Sequence, residues 1–392
     1  MRSFYDSIFF NVPHLRFPEF TEEWKNTSLG KIGKTFNGLT GKSGSDFGQG
    51  FPYITYKSIF DNSKIDISRV EYVEITDIER KKETQNKVQY GDVFFTTSSE
   101  TPDEVGMNSV LLDEIKDCYL NSFCFGYRLN SLSKTVPEYM RFYLRSQTIR
   151  KKMFVLAQGS TRFNISKSEV MGMSINIPEI EEQRKIANLL TLLDDRIATQ
   201  NKIIERLETL IKGIRNEIFG KLRKSIGFNA IVGDVLQYEQ PQSYIVEDTE
   251  YTKEGTPVLT ANKAFILGYT SEVDGIYDKG NCIIFDDFTL DCKYVDFPFK
   301  VKSSAIKILT AKSNELLRYV YEFLKYLDLS TEEHKRHYIA ETQNQGFILS
   351  SAKTVEMISH TFSALSLRLS STVQLRNKYE AQKQHLLRQM FI

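Results

Sequence analysis

The sequence predicts two similar mixed α/β (α+β) domains, joined by two long helices that pair as an antiparallel coiled coil. Three observations predict this fold class: an apolar heptad pattern after Pro178, a weaker copy of it further along the chain, and short matching motifs before each pattern. A chain of 392 residues is also long enough for two hydrophobic cores. We therefore predict an internal pseudo-two-fold repeat in the order domain, helix, domain, helix.

The two domains are expected over residues 1–179 and 221–355, because each range combines short strands and Gly/Pro turns with one helical stretch. The helical stretches are Val136–Leu156 and Asn314–Leu327. Three segments of the first domain match segments of the second: Gly50–Phe60 with Gly255–Phe265, Tyr90–Phe95 with Lys279–Ile284, and, faintly, Gln158–Ser166 with Gln345–Ser350.

The first spacer helix is expected over residues 180–220. Glu181 and Glu182 suit a helix N-terminus, and Gly220 suits a C-terminal stop. Apolar residues recur in steps of four and three, which is the a/d pattern of a coiled coil. The seam consists of Ile186, Leu190, Leu193, Ile197, Ile204, Leu207, Ile211, Ile214 and Ile218.

The second spacer helix is expected over residues 356–392. When Leu193 is aligned with Leu365, the polar seam residue Gln200 falls on Thr372, so the two patterns match. Arg376 and Lys383 are poor seam residues, and this helix should depend on the first for burial. Two unrelated amphipathic helices remain the alternative. The apolar seam positions are Ile358, Phe362, Leu365, Leu369, Tyr379, Leu386 and Met390.

This layout favours a long ligand with two binding sites. A helix of about 33 residues spans roughly 50 Å, and the second helix can pair with the first only by running back along it. Adjacent major-groove half-sites of DNA lie about 34 Å apart, which such a spacer can reach. A protein-interaction scaffold with two binding domains could have the same shape, so both functions stay open at this point.

Composition sets limits on the other classes of function. A net charge of +1 neither indicates nor excludes a nucleic-acid ligand. The four cysteines form no Cys-x-x-Cys pair, so we expect neither a disulfide framework nor a metal site. With no long apolar run and no signal-peptide pattern, we expect a cytoplasmic protein without a membrane partner.

Polar loop residues at matched places in the two domains are the candidate DNA contacts. Asn can pair with adenine, and Lys can donate to guanine or to phosphate. The candidates in the first domain are Lys42, Ser43, Tyr53, Tyr56, Lys57, Ser58, Thr96, Thr97, Ser98, Arg162 and Asn164, and those in the second are Thr260, Asn262 and Lys263.

Two catalytic patterns are incomplete in this sequence. Thr40–Ser43 resembles the end of a phosphate-binding loop, but Phe36 stands where that loop needs its first glycine. Asp103, Glu114 and Lys116 fit a loose metal-dependent nuclease pattern, which is the weaker alternative function. No methyltransferase motif or Ser/His/Asp arrangement is evident, so the sequence favours a non-catalytic chain.

Two segments carry a family resemblance. The segment Val12–Pro18, followed by Trp24 and Leu29-Gly30, looks like the opening of a Type I restriction–modification specificity subunit. The stretch Ile177-Pro178-x-x-Glu181-Glu182-Gln183-x-x-Ile186-Ala187 resembles that family's first conserved helix start, and the second helix lacks this pattern around Met357–Ser363. With the duplicated layout, the resemblance covers nearly the whole chain.

The resemblance implies a host-defence protein whose two target-recognition domains each read one half of a split site in double-stranded DNA. It also implies binding of modification (methyltransferase) subunits, two in number, which use S-adenosylmethionine. Restriction subunits, which use ATP and Mg²⁺, would join them. This chain itself would bind no cofactor. Whether the second helix binds a modification subunit as the first does stays open.

Overall fold

The computed structural model describes residues 12–82, 87–261, 264–331 and 335–392. These residues form two compact units, the first made of residues up to 198 together with 376–392, and the second of residues 199–375. Both units mix helices and sheets, which confirms the predicted fold class. Among the residues that the structure describes, every helix is too short or too polar to be a transmembrane span.

The first unit is built on a central sheet with the strand order β2-β9-β5-β7, a smaller sheet β4-β3-β8, and the strand pairs β1-β11 and β6-β10. Its strands are β1 (Lys25–Ser28), β2 (Gly33–Asn37), β3 (Phe47–Ile54), β4 (Glu71–Val73), β5 (Val93–Thr96), β6 (Ser98–Ser99), β7 (Asn108–Val110), β8 (Tyr119–Leu120), β9 (Cys124–Leu129), β10 (Phe163–Asn164) and β11 (Ser174–Ile177). Its helices are α1 (Leu29–Ile32), α2 (Tyr56–Asp61), α3 (Asp77–Lys82), α4 (Pro137–Tyr143), α5 (Gln147–Leu156), α6 (Lys167–Gly172) and the start of α7 (Ile180–Ser225).

The central sheet of the first unit holds a fixed core because its middle strands are buried. All four residues of β5 are buried, and the ring of Phe95 stacks on that of Phe125 in β9 with centroids 5.1 Å apart. Burying a side chain of this size contributes about 1.5–3 kcal/mol. The loop that follows β5 is therefore anchored to a buried, well-packed strand.

The second unit repeats this plan with the sheets β13-β19-β16-β17 and β15-β14-β18 and the pair β12-β20. Its strands are β12 (Ala230–Ile231), β13 (Gln237–Glu239), β14 (Thr256–Leu259), β15 (Ile266–Thr270), β16 (Cys282–Asp286), β17 (Cys292–Val295), β18 (Lys300–Val301), β19 (Ile306–Thr310) and β20 (Gly346–Phe347). Its helices are α8 (Val232–Val235), α9 (Asn314–Leu327) and the first part of α10 (Ala352–Gln389).

Strand pairing confirms the internal repeat. In each unit a short strand pairs antiparallel with one neighbour and parallel with the other: β3 does so with β4 and β8, and β14 with β15 and β18. Gly50, at the irregularity within β3, and Gly255, just before β14, have positive φ angles of 99° and 124°. A Cβ atom there would lie 2.5 Å and 2.4 Å from a carbonyl oxygen of the neighbouring strand, so both positions need glycine.

One predicted match between the two domains is wrong. The segment Gln158–Ser166 precedes α6, and its Ile165 N–H donates to Thr97 O at 3.0 Å. In the second unit the corresponding bond joins His337 N–H to Asp287 O, also at 3.0 Å. The counterpart of the loop Gln158–Ser166 therefore lies around His337. The segment Gln345–Ser350, which shares a Gln-Gly pair with that loop, comes later in the second unit.

Helix α7 begins as predicted but does not end at Gly220. It runs over 46 residues to Ser225. Phe219 is fully buried against the rings of Tyr319 and Phe323, 5.3 Å and 5.5 Å away, and this packing offsets the cost of about 1 kcal/mol for a helical glycine. Gly227, with φ +73°, supplies the left-handed residue that follows the helix end.

The second long helix, α10, starts at Ala352, four residues earlier than predicted, because Ser351 caps it: its Oγ accepts from Thr354 N–H at 3.3 Å. The helical stretch predicted over Val136–Leu156 is interrupted in the same way, since Ser146 caps a new helix, α5. Asn314–Leu327 forms one helix, α9, as predicted.

Within the first unit the two long helices run antiparallel. Asp194 contacts Lys383 at 2.5 Å, whereas Arg196, further along α7, contacts Tyr379, which comes earlier in α10. The seam residues are buried in part or in full throughout. Ile186, Leu190, Leu193, Ile211 and Leu386 are buried, and Ile197, Ile204, Leu207, Leu365, Leu369 and Tyr379 are half-buried.

Candidate nucleic-acid interface

A cleft of about 660 Å³ opens in the first unit between α2, the loop after β5, and the loop before α6. We call it the first cleft. It is lined by Tyr56, Phe60, Ser98, Ser99, Glu100, Glu104, Thr161 and Arg162.

Strand pairing brings the two loops of the first cleft together. Ser98 pairs with Asn164 and Ser99 with Phe163, which places Thr161 and Arg162 beside Glu100. The turn that precedes them depends on Gly159, which has φ +131° and whose Cβ would lie 2.2 Å from Arg162 O. Any other residue at 159 would disturb the loop that carries Arg162.

Two stacked aromatic rings form one wall of the first cleft. The rings of Tyr56 and Phe60 on α2 lie 5.9 Å apart at an interplanar angle of 18°. The Tyr56 hydroxyl donates to Ser98 O at 2.6 Å, and burial raises the pKa of Tyr56 above its usual value. The hydroxyl therefore stays protonated at neutral pH, and its proton is held by the protein.

The structure brings three of the predicted contact residues, Tyr56, Ser98 and Arg162, into the first cleft. Asn164 is exposed at its edge, and its backbone pairs with Gln158. Thr96 is buried under the loop, and Thr97 donates its hydroxyl proton to Phe123 O at 2.8 Å.

Three other predicted contacts are already engaged within the protein. Lys42 lies 2.7 Å from Glu79 with only 7% of its side chain exposed, so it is not the free cation that a phosphate contact requires. Hydrogen bonding to Lys42 lowers the pKa of Glu79 to about 2. Ser43 caps the short turn Gly44–Asp46. Tyr53 is buried, and this burial raises its pKa to about 12.

The last two candidates of the first domain lie on α2. Lys57 is exposed and points away from the protein core, which leaves its ammonium available. The Ser58 hydroxyl donates to Thr55 O at 2.8 Å and its N–H donates to Thr55 Oγ1 at 3.2 Å, so it holds the start of the helix. Of these two residues, only Lys57 offers a group to a ligand.

In the second unit, Thr260 is buried at 8% exposure and its N–H donates to Phe265 O at 3.0 Å. The predicted contacts Asn262 and Lys263 lie outside the described residues. The loop that corresponds to that of Arg162 contains Arg336, which is exposed and 5.9 Å from the ring of Phe288. Sequence reasoning missed Arg336, although the basic run His334-Lys335-Arg336-His337 was a signal for it.

The residues of the nuclease alternative come from two separate loops, Asp103 from the one before β7 and Glu114 and Lys116 from the one after it. Asp103 lies in a turn where its carbonyl oxygen accepts from Arg150 at 2.7 Å. Glu114 lies in the loop after β7, near Tyr90, whose pKa is raised to about 12 first by burial, then by Glu138, and to a smaller extent by Glu114. Among residues 12–82, 87–261, 264–331 and 335–392, no three His, Cys, Asp or Glu side chains are grouped as metal ligands would be.

Sequence comparison links the first half of the chain to one family. Residues 21–209 match the family described as Type I restriction modification DNA specificity domain. The chain is 40% identical over 164 residues to the EcoR124I/EcoR124II specificity subunit of Escherichia coli, a match that covers 38% of this chain and 41% of that one. It is 30% identical over 206 residues to the putative MjaX specificity subunit of Methanocaldococcus jannaschii, covering 52% and 47%. The chain thus spans less than half the length of these relatives.

The fold as a whole has a counterpart among solved structures. The crystal structure of the S subunit of a Type I restriction–modification system from M. genitalium superposes with a TM-score of 0.67 and covers 97% of this chain and 99% of that one. The two sequences are 15% identical, so this likeness concerns the fold.

Proposed function

Because residues 21–209 match the Type I restriction modification DNA specificity domain, we propose that the chain is a specificity subunit that recognises a two-part DNA target and directs partner subunits to it. In this proposal each unit reads one half-site. Base edges would be read from loops, while contacts to phosphates would set the register of the protein on the duplex.

The observation that carries the proposal is a repeated framework with different loops. Both units use the same order of strands in their central and smaller sheets. The loops on that framework differ: the first unit presents Glu100 and Arg162, and the second presents Phe288 and Arg336. Two similar frameworks with unlike loops fit a ligand that has two unlike sites, so the two half-sites should differ in sequence.

The near-neutral charge of the chain supports a need for partners. Binding to DNA depends largely on contacts between cations and phosphates. A net charge of +1 gives this chain little excess of cations. We infer that modification subunits, two per chain, supply part of the basic surface and carry out methyl transfer with S-adenosylmethionine. Restriction subunits would use ATP and Mg²⁺.

The long helices would fix the gap between the two half-sites. Helix α7 is continuous over 46 residues, with no proline between Ile180 and Ser225. A continuous helix resists bending, and its length sets a distance. The role of a spacer therefore follows from this helix together with the proposed two-part target.

The test is selection from a random duplex DNA pool by this chain, co-expressed with the modification subunit of its own system. Recovery of two short unlike motifs separated by a fixed unspecified gap supports the proposal. Recovery of no motif from a folded, assembled complex would contradict it and favour the protein-interaction scaffold. A palindromic motif would contradict the assignment of one half-site to each unit.

A further inference from the structure

The first cleft carries more negative than positive charge, which disfavours the binding of a phosphate. Its lining carries two carboxylates, Glu100 and Glu104, and one guanidinium, Arg162. Among the described residues, none of the three has a salt-bridge partner within the protein. A DNA phosphate placed in this cleft would meet a net negative charge, so the group that enters should be neutral and should donate hydrogen bonds.

Glu104 is the better placed of the two acceptors. Its Oε2 atom accepts from the hydroxyls of Thr101 and Ser99, at 2.9 Å and 3.2 Å. Its backbone N–H also donates to Thr101 O, at 3.4 Å. The carboxylate is therefore held in one orientation, with Oε1 left to accept from a ligand. Glu100, by contrast, is exposed and makes no such bonds among the described residues.

The neighbours of Glu104 do not compete for that role. The Tyr56 hydroxyl proton is committed to Ser98 O, so this ring contributes a wall. Arg162 offers only donors, because a guanidinium has no acceptor. An ionised carboxylate, in turn, offers only acceptors. The first cleft thus contains an oriented acceptor, Glu104, and a charged donor group, Arg162.

In the major groove the hydrogen-bond donors are the exocyclic amino groups of adenine and cytosine, and acidic side chains are known partners of the cytosine amine. We propose that Glu104 Oε1 accepts a hydrogen bond from such an amino group, and so requires adenine or cytosine at one position of the half-site read by the first unit. This inference rests on the proposed function, and it adds the chemical class of base that the site takes.

A single substitution should reverse the preference. In Glu104→Gln the hydroxyls of Ser99 and Thr101 still need an acceptor, so the amide oxygen should take the place of Oε2. The amide nitrogen then replaces Oε1 and presents a donor where the wild type presents an acceptor. Guanine O6 and thymine O4 accept hydrogen bonds in the major groove. We expect one position to change from adenine or cytosine towards guanine or thymine.

The experiment uses the full chain in complex with its modification subunit. Selected duplexes are compared with duplexes in which the chosen base lacks only its exocyclic amino group. For the wild type, this deletion should weaken binding about 10-fold. For Glu104→Gln it should not weaken binding, because the amide nitrogen presents a donor and makes no hydrogen bond with that amino group. Glu23→Gln, a change at an exposed residue outside the cleft, is the matched control and should behave as the wild type.

The outcomes separate this inference from the proposed function. If the wild type selects no two-part motif, the proposed function fails. Suppose instead that the wild type selects such a motif, but that deletion of the amino group weakens binding of Glu104→Gln and of the wild type equally at every position. The role of Glu104 is then wrong, while the proposed function stands. Thr101→Val gives a second test should Glu104→Gln not fold. It leaves the carboxylate less firmly oriented and should weaken the preference at the same position without reversing it.

Discussion

Arg141 on α4 lies 2.6 Å from Asp194 on α7, and the same carboxylate contacts Lys383 of α10 at 2.5 Å. One aspartate therefore ties both long helices to the globular part of the first unit. The second unit carries the counterpart arginine: Arg318, like Arg141, is the fifth residue of its helix, and it donates to Ser366, which the heptad alignment matches to Asp194.

Asp194→Asn should destabilise the first unit. The change removes the anion shared by Arg141 and Lys383, whose side chains are only 13% and 21% exposed. Loss of a partner for such partly buried cations should cost about 1–3 kcal/mol of the free energy of unfolding. Hydrogen exchange in increasing urea, read on peptides of the first unit, measures this change without assuming that both units unfold together.

Asn188→Ala is the control for that measurement. Asn188 is exposed on the same helix, and such surface changes usually stay within about 0.5 kcal/mol. Equal stability of the two variants would show that the shared aspartate does not hold the helices to the first unit.

The ion pair of Lys42 and Glu79 should make stability depend on pH in the acid range. The folded-state pKa of Glu79 is lowered from 4.5 to about 2 by Lys42, so the stabilisation is complete above about pH 4.5 and is lost as pH falls towards 2. Glu79→Gln lacks this contribution. The difference in urea midpoint between wild type and Glu79→Gln should therefore shrink from pH 6 to pH 3.

The control for the pH series is Glu22→Gln, which alters an exposed carboxylate elsewhere in the unit. It should give a midpoint difference near zero at every pH. If the difference in urea midpoint between wild type and Glu79→Gln stayed constant across the pH series, the pair of Lys42 and Glu79 would not titrate as described.

Arg162 and Arg336 should each affect one half-site only. Arg162 lines the first cleft, and Arg336 lies in the corresponding loop of the second unit. Replacing either with alanine should cost about 1–3 kcal/mol if the guanidinium donates to a base, and should relax one position of one motif. Selection from a random pool with each variant measures this. Uniform weakening across all sequences would instead assign that arginine to a phosphate.

A matched deletion in both long helices should shorten the gap between half-sites. In the second unit the contact of Arg215 with Phe362 sets an antiparallel register in which residues 203–209 face residues 368–374. Removing both heptads keeps the seam in phase and shortens α7 by about 10 Å, which is about three base pairs. Pool selection should recover the same two motifs with a shorter gap.

An unchanged gap would contradict the role of the helices as a spacer. Deleting residues 203–209 alone is the control for pairing: it puts the two seams out of register, and the complex should lose stability instead of acquiring a new gap. Thermal unfolding of both variants distinguishes the two cases.

The heptad pattern revealed the helices because each seam residue repeats a local rule, from Ile186 to Ile218. The end of the first helix was harder to predict. Gly220 looked like a stop, but Phe219 is held by rings about one hundred residues further along the chain. A contact between residues so far apart in the sequence cannot be predicted from a local pattern.

The same limit applies to the candidate contacts. The loop with Arg162 was found because polar residues cluster there. The sequence could not show that Lys42 pairs with Glu79, because that partner comes from a distant helix, nor that Tyr53 is buried, because a strand pattern does not reveal which face is covered. Glu104 was not among the predicted contacts, since a carboxylate in a DNA-facing loop is identified only once the cleft around it is known.

The ring of Phe391 packs 5.7 Å from Tyr139 and from Tyr143 in the first unit, so that core includes residues made about 250 positions later. During synthesis at roughly 5–20 residues per second, α4 would wait about 12–50 s for this partner. The second unit is one contiguous segment, residues 199–375, so all of its residues are made before Phe391. The part of the chain that is translated first is therefore the part that completes its core last.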